Sequence, residues 1–165
     1  MSDFLIRPAN PNDVPGIAFV HYTSWVETYT GLIDDAYLKT LSVERQLKRA
    51  GNELENVTVA EMDGEIVGFC RRGACRDEDA SSCGEIATIY ILKKAQGMGI
   101  GRALTEKALS MLSASGYTQC KLWALANNEH AAGFYKKMGF APDGGETFLQ
   151  LGSPARCIRF TRALP

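Results

Sequence analysis

No run of about 18 apolar residues occurs in this 165-residue chain, so the sequence offers no candidate for a membrane-crossing helix. Positive charge is not in excess either: 18 Lys and Arg stand against 19 Asp and Glu, for a net charge of −1. A dedicated nucleic-acid binder needs a basic surplus, and that class is set aside. Arg71-Arg72 is a local basic spot that suits either a phosphate or plain solvent. Histidine is scarce. His21 and His130 have no metal-ligand spacing, so no metal site is expected. Among Cys70, Cys75, Cys83, Cys120 and Cys157 there is no Cys-x-x-Cys pair. An odd number of cysteines, mostly flanked by strand-like sequence, reads as reduced, largely buried thiols of a cytoplasmic protein. The opening MSDFLIRPAN has charges and a proline where a secretory signal needs its apolar core.

What is present is ordinary globular composition, 45% apolar and 22% charged, in a length that suits one domain spanning 1–165. FLIR (4–7) reads as a short strand stopped by Pro8. A helix follows over the segment ending at Tyr29, with Asn12 or Asp13 as cap, Pro15 in the first turn, and Ile17, Val20 and Tyr22 to Trp25 as its apolar face. One or two short helices are expected between Asp34 and Gly51. The clearest hairpin is 56–73, where two β-rich runs flank Asp63-Gly64, a dipeptide that accepts the positive φ of a tight turn. A polar loop spans 76–84. EIATIYIL (85–92) is rich in β-branched residues with little alternation, as a central strand covered on both faces would be.

From about Gly99, the residues Ile100, Leu104, Ala108, Met111 and Leu112 recur at helical spacing, with Arg102 and Glu106 facing away, until Gly116. TQCKLWAL (118–125) is the next strand. NNEHAAGFYKKMGF (127–140) is a compact helix capped by Asn127 or Asn128, with Ala131, Phe134, Tyr135 and Met138 as its apolar side and Gly139 as its stop. Two strands around Gly152-Ser153-Pro154 close the chain. The order describes an α/β fold around a mixed sheet.

The glycines Gly97, Gly99 and Gly101 sit between a strand and a helix start. That junction is an anion site, because the first N–H groups of a helix have no internal partners and its dipole favours negative charge. A P-loop is excluded: Gly101 is followed by Arg102-Ala103, not by lysine and a hydroxyl. A dinucleotide fingerprint is excluded as well. Its third glycine would fall on Arg102, and the following strand ends in alanine where an acid should hold a ribose.

What remains is Gln96-x-x-Gly99-x-Gly101, and further on Asn128, Ala131, Phe134, Tyr135, Gly139 and Phe140. These two motifs, their order and the hairpin before them resemble the GCN5-related N-acetyltransferase (GNAT) superfamily. SWVETYTGLIDDAYL (24–38) is similar to a stretch of many bacterial members. The resemblance implies the acyl-CoA N-acyltransferase fold, with a mixed, mostly antiparallel central sheet flanked by helices. It implies acetyl-CoA as co-substrate and direct transfer to a primary amine of a small molecule. A protein or peptide amine, or an acyl-CoA sensor without turnover, are the other readings.

The resemblance also implies residue roles. Gln96, Gly97, Met98, Gly99, Ile100, Gly101 and Arg102 would hold the pyrophosphate of coenzyme A. Ile89, Tyr90 and Ile91 would pair with the pantetheine arm, on a strand that splays from the next one to open a V-shaped slot. A backbone N–H near Ile91 would serve the developing oxyanion. Asn128 would contact coenzyme or cap its helix. Tyr135 would be the acid that serves the leaving thiolate. Glu85, eleven residues before Gln96, resembles the base of the histone acetyltransferase branch, reaching through a water. Other members carry a base on the next strand, where this chain has Trp123. A base is needed because an alkylammonium with pKa near 10.4 must lose a proton, at a cost of about 4–5 kcal/mol at pH 7. Trp25 and Tyr29, with Tyr37, would wall the acceptor site. By their own chemistry Glu27, Asp34 and Asp35 suit a cationic amine or a helix cap equally. A homodimer through the C-terminal strands is implied too.

Overall fold

A computed structural model describes residues 3–77 and 82–165. The expected polar loop at 76–84 is described only at its ends, since 78–81 lie outside those residues. Seven strands form one sheet in the order β1-β2-β3-β4-β5-β7-β6. They are β1 (Phe4–Pro8), β2 (Val57–Met62), β3 (Glu65–Ala74), β4 (Cys83–Ile91), β5 (Gln119–Leu125), β6 (Ala141–Leu151) and β7 (Ser153–Ala163). Among the described residues only β4 and β5 run parallel; every other neighbouring pair is antiparallel. The helices are α1 (Val14–Tyr29), α2 (Asp35–Leu38), α3 (Val43–Ala50), α4 (Ile100–Ala114) and α5 (Glu129–Lys137). The mixed, mostly antiparallel sheet with flanking helices is the architecture expected. No helix of the described residues is long and apolar enough to cross a membrane.

Local chemistry explains the turns. Asp63 and Gly64 both take positive φ, 52° and 80°, which matches the right-handed twist of the β2–β3 hairpin. The start of α1 differs from expectation. Neither Asn12 nor Asp13 caps it with a side chain. Asn10 accepts from the N–H of Asn12, and Asp13 closes the box by accepting from the N–H of Asn10, around a 3-10 turn at Pro11–Asp13. The Asp13 carboxylate is otherwise taken by Arg7, whose Nη1 and Nη2 donate to it at 2.7 and 2.9 Å while Arg7 also reaches Glu61. A bidentate arginine outcompetes a lone backbone donor. The fully buried residues of α1 are Ile17, Ala18, Val20 and Ser24; Tyr22, Thr23 and Trp25 are half-buried and Phe19 is exposed. On α4 the buried stripe is Ile100, Leu104, Thr105, Ala108, Leu109 and Leu112, so Met111 lies off it.

The sheet is sandwiched. Gly84 on β4 is packed so closely under α4 that a Cβ there would lie 2.7 Å from Leu112. On the opposite face, Phe69 and Tyr90 meet His21 of α1. The feature that positions the site is the short contact between β4 and β5. They pair only from Cys83↔Gln119 to Glu85↔Lys121, whereas β5 pairs with β7 along all of Gln119–Leu125. Beyond Glu85 the two parallel strands diverge.

The Arg7 guanidinium holds the Asp13 carboxyl below the usual carboxylate range. An unfolded aspartate titrates near 3.9, so this contribution is present above about pH 4 and is lost as pH falls through the lower folded value. Asp13→Asn is expected to lower stability at pH 7 and to flatten the loss of stability below about pH 4. Urea unfolding at pH 7 and pH 3 checks both; a variant whose acid limb parallels the wild type contradicts the assignment.

Candidate active site

The slot opens where β4 and β5 part. Ile86 to Ile91 continue as strand on the β3 side, with Ile89↔Cys70, Tyr90↔Phe69 and Ile91↔Gly68, but have no β5 partner. Their groups facing β5 are therefore free to pair with an extended ligand, as an open strand edge does. Thr88 in this stretch has a buried Oγ1 without a hydrogen-bond partner among the described residues. A buried hydroxyl left unpaired costs free energy unless something meets it, so the slot fits a ligand with an amide or carbonyl chain.

At the slot mouth the chain passes through a 3-10 turn (Lys93–Ala95) into α4. The three glycines do different things there. Gly97 and Gly99 take φ of 76° and 87° with nothing near a notional Cβ, so they are required by backbone conformation. Gly101 is required by space: a Cβ would lie 3.0 Å from Ile91 Cδ1 and 3.3 Å from Phe134 Cζ. It lets the first turn of α4 settle between β4 and α5. Ala103 N donates to Gly99 O at 3.0 Å, so the N–H groups of Ile100, Gly101 and Arg102 precede the first helical bond and point out of the helix. Ile100 has its side chain in the core and can offer only this N–H. Met98 is exposed. Gln96 is exposed and donates back to Ile91 O at 3.2 Å, tying the cradle to the slot strand. Arg102 is exposed and paired with Glu106 at 2.8 Å; its charge lies beside the cradle on a flexible stem.

Asn128 caps α5, accepting from the N–H of Ala131 at 3.2 Å. Two helical turns later, Tyr135 packs on Phe140 and Phe160, and burial pushes its phenol up. Burial also raises Tyr90 and Tyr29, which neighbour each other and Tyr135. All three phenols therefore stay protonated at neutral pH and serve as hydrogen-bond donors.

Glu85 stands at the closed end of the slot, paired in register with Lys121. It is only 3% exposed. Arg76 grips both carboxylate oxygens, Nε to Oε2 at 3.0 Å and Nη2 to Oε1 at 2.9 Å. Four residues separate Glu85 from Ile89, about 13 Å along a strand, so Glu85 reaches the Ile89–Ile91 stretch only through an intervening group.

Trp25 and Tyr29 pack edge-to-face at 4.6 Å in a small cluster with Tyr37, Trp123, Leu125, Leu151 and Cys157. His21 precedes them on the same stripe of α1 and stacks on Tyr90 at 5.1 Å. His21 and Arg76 were not anticipated as site residues. The i, i+4, i+8 spacing of His21, Trp25 and Tyr29 carries a signal for the first; nothing in the polar loop marks the second. Of the acidic residues, Glu27 accepts from Lys93 N at 2.8 Å and Asp34 caps α2, so both have structural partners. Arg71 and Arg72 donate to the carbonyls of Asn52 and Asn56 and are not a free phosphate patch.

A slot for an extended amide chain, leading to a helix-start cradle for phosphates, is what a thioester donor with a long phosphorylated handle requires. It places the chain among the coenzyme A-dependent acyltransferases. The family model described as an acetyltransferase (GNAT) domain matches residues 53–142. The uncharacterized N-acetyltransferase YuaI of Bacillus subtilis is 34% identical over 125 residues, covering 74% of this chain and 72% of its own. The probable N-acetyltransferase Rv2775 of Mycobacterium tuberculosis is 30% identical, covering 87% and 83%. Among solved structures, the PaiA N-acetyltransferase of Thermoplasma acidophilum in complex with coenzyme A superposes with a TM-score of 0.78 at 20% identity, over 98% of this chain and 99% of that one. The chain belongs to the GNAT acetyltransferase family. It is an N-acetyltransferase whose acyl donor is acetyl-CoA.

Burial, with Arg49 and Arg71 nearby, lowers His21 to about 4. The ring is thus neutral at physiological pH. Because an unfolded histidine titrates near 6.5, the fold loses stability as pH drops from about 6.5 towards 4, where only the unfolded chain takes up the proton. The His21 ring proton followed by NMR is expected to titrate with a midpoint near pH 4; a midpoint of 6 to 7 contradicts this placement.

Proposed function

We propose that this N-acetyltransferase acetylates the primary amine of a small molecule in a ternary complex. The observation that carries this reading is how tightly the acceptor side is closed. The Gly31–Asp34 connection is strapped to the rest of the fold: Asn127 Nδ2 donates to Leu32 O at 3.1 Å, and Asp34 packs against Gly152 of the β6–β7 turn so closely that a Cβ there would meet it at 2.8 Å. Beside this strap lies a cavity of about 190 Å³ lined by Ile33, Asn127, Leu151, Ala155 and Arg156 among others. It adjoins the Trp25–Tyr29 cluster. A space of that size suits a compact amine better than an extended peptide.

Acetyl-CoA supplies an acetyl group activated as a thioester. In our reading Ile89, Tyr90 and Ile91 align its arm through their backbone, and an N–H at Ile91 polarises the carbonyl. Gly97 to Arg102 hold the phosphates, with Asn128 fixing the start of α5 beside them. Tyr135, kept protonated by burial, donates to the departing sulfur. Glu85 accepts the amine proton through a chain of waters, which requires a carboxylate lone pair left over by Arg76. Trp25 and Tyr29 present aromatic faces to the incoming amine. Five unbridged thiols support a reducing, cytoplasmic setting. The open edge of β6, with Phe148 and Leu149 exposed, is the face we assign to a second copy in a homodimer.

Thiol release from acetyl-CoA tests this against a panel of polyamines, amino acids, amino sugars and peptides. Turnover with a small amine is expected; turnover restricted to peptides overturns the acceptor class. In the same assay Tyr135→Phe is expected to lower kcat about 100-fold or more with KM for acetyl-CoA little changed, and Glu85→Gln to lower kcat and alter its pH profile. A wild-type rate for the first, or an unchanged profile for the second, removes the respective role.

A further inference from the structure

A pair of thiols stands at the end of the sheet where β3 meets β4. The last registered pair there is Ala74↔Gly84, and one step further Cys75 N donates to Cys83 O at 2.9 Å. Cys75 and Cys83 are therefore directly opposed in an antiparallel ladder. Opposed residues joined by backbone hydrogen bonds lie about 5.5 Å apart at Cα, inside the range of roughly 4.4–6.8 Å that a disulfide bridges. Their side chains leave the sheet on the same face; in the dithiol state Cys75 Sγ donates to Asp77 Oδ2 at 3.6 Å and Cys83 Sγ to the carbonyl of Gly84 at 3.1 Å.

The other cysteines do not compete for either partner. Cys120 is paired in register with Gly84, and Gly84 faces Leu112 of α4. Cys120 thus points to the α4 side, and Cys83, one residue from Gly84, points the other way. Cys70 and Cys157 are buried in separate packing clusters. Access differs within the pair, because Cys75 is half-buried and Cys83 fully buried.

We propose that Cys75 and Cys83 are a redox-active dithiol, which hydroperoxides convert to a disulfide joining β3 to β4. The site is independent of the acceptor amine. Cys75, the accessible thiol, loses its proton and attacks a peroxide oxygen. The O–O bond breaks, leaving Cys75 as a sulfenic acid and releasing water from hydrogen peroxide. The Cys83 sulfur then attacks the Cys75 sulfur; the S–S bond forms, the S–O bond breaks, and a second water departs with the Cys83 proton. Two thiols lose two electrons and one peroxide gains them. Burial, with Cys75 alongside, pushes Cys83 up to about 12, so the first attack falls to Cys75, and Cys83 enters the second step by its position opposite Cys75. The link would fix the residue next to Arg76 and the strand that carries Glu85 two positions on, so it lies against the ion pair described above.

Trypsin separates the two cysteines. Cleavage after Arg72, Arg76 and Lys93 yields GACR and DEDASSCGEIATIYILK. The full chain, treated with one equivalent of hydrogen peroxide, then alkylated and digested, is expected to give these peptides joined in most molecules, two hydrogens lighter than their sum. Dithiothreitol should reverse the link, Cys75→Ser should abolish it, and Cys120→Ala should leave it. Recovery of Cys75 as a sulfinic acid with Cys83 still alkylatable, or GACR joined to the Cys120 peptide, overturns the proposal.

Discussion

The structure depends on how briefly β4 and β5 stay together. Three residue pairs, Cys83↔Gln119 to Glu85↔Lys121, hold two parallel strands in one sheet, after which each goes its own way. Parallel strands normally keep their ladder, because buried backbone groups without partners are costly, roughly 1–3 kcal/mol each. The divergence survives because each strand has another neighbour. β4 stays paired with β3 as far as Ile91, and β5 with β7 as far as Leu125. Packing on both faces keeps the wedge open, with Gly101 between Ile91 and Phe134 on one side and His21 on Tyr90 on the other.

A backbone edge inside a fold becomes a binding surface. It provides hydrogen-bonding groups at fixed spacing and no side-chain selectivity, which suits a donor arm common to many acyl transfers. Selectivity has to come from elsewhere, and in our proposal the aromatic stripe of α1 and the strap at Leu32 and Asp34 supply it. The division also explains why the donor end is readable from short motifs while the acceptor end is not. Glycines at 97 and 99 are demanded by backbone angles and one at 101 by crowding; few residues can replace them.

Element identities were legible because their signals are local. The Asp63-Gly64 turn, the Asn128 cap and the helical spacing of α4 each state their structure within a few residues. Long-range partners were not legible. Asp13 looks like a helix cap until Arg7 and Glu61 are brought beside it by the β1–β2 pairing. Glu85 looks like an exposed strand start until Arg76 folds back onto it from the end of β3. The opposition of Cys75 and Cys83 likewise follows from the β3–β4 register, which a bulge between Arg71 and Arg72 shifts by a residue. Sequence spacing alone cannot count across that bulge.

Amide hydrogen exchange with and without coenzyme A tests the central claim most directly, because it reads the slot strand and the helix start separately. The account predicts that coenzyme A slows exchange at Ile89–Ile91 and at Gly97–Arg102, with little change along β1 and β2. Protection confined to any other surface, with these two stretches unchanged, would contradict it.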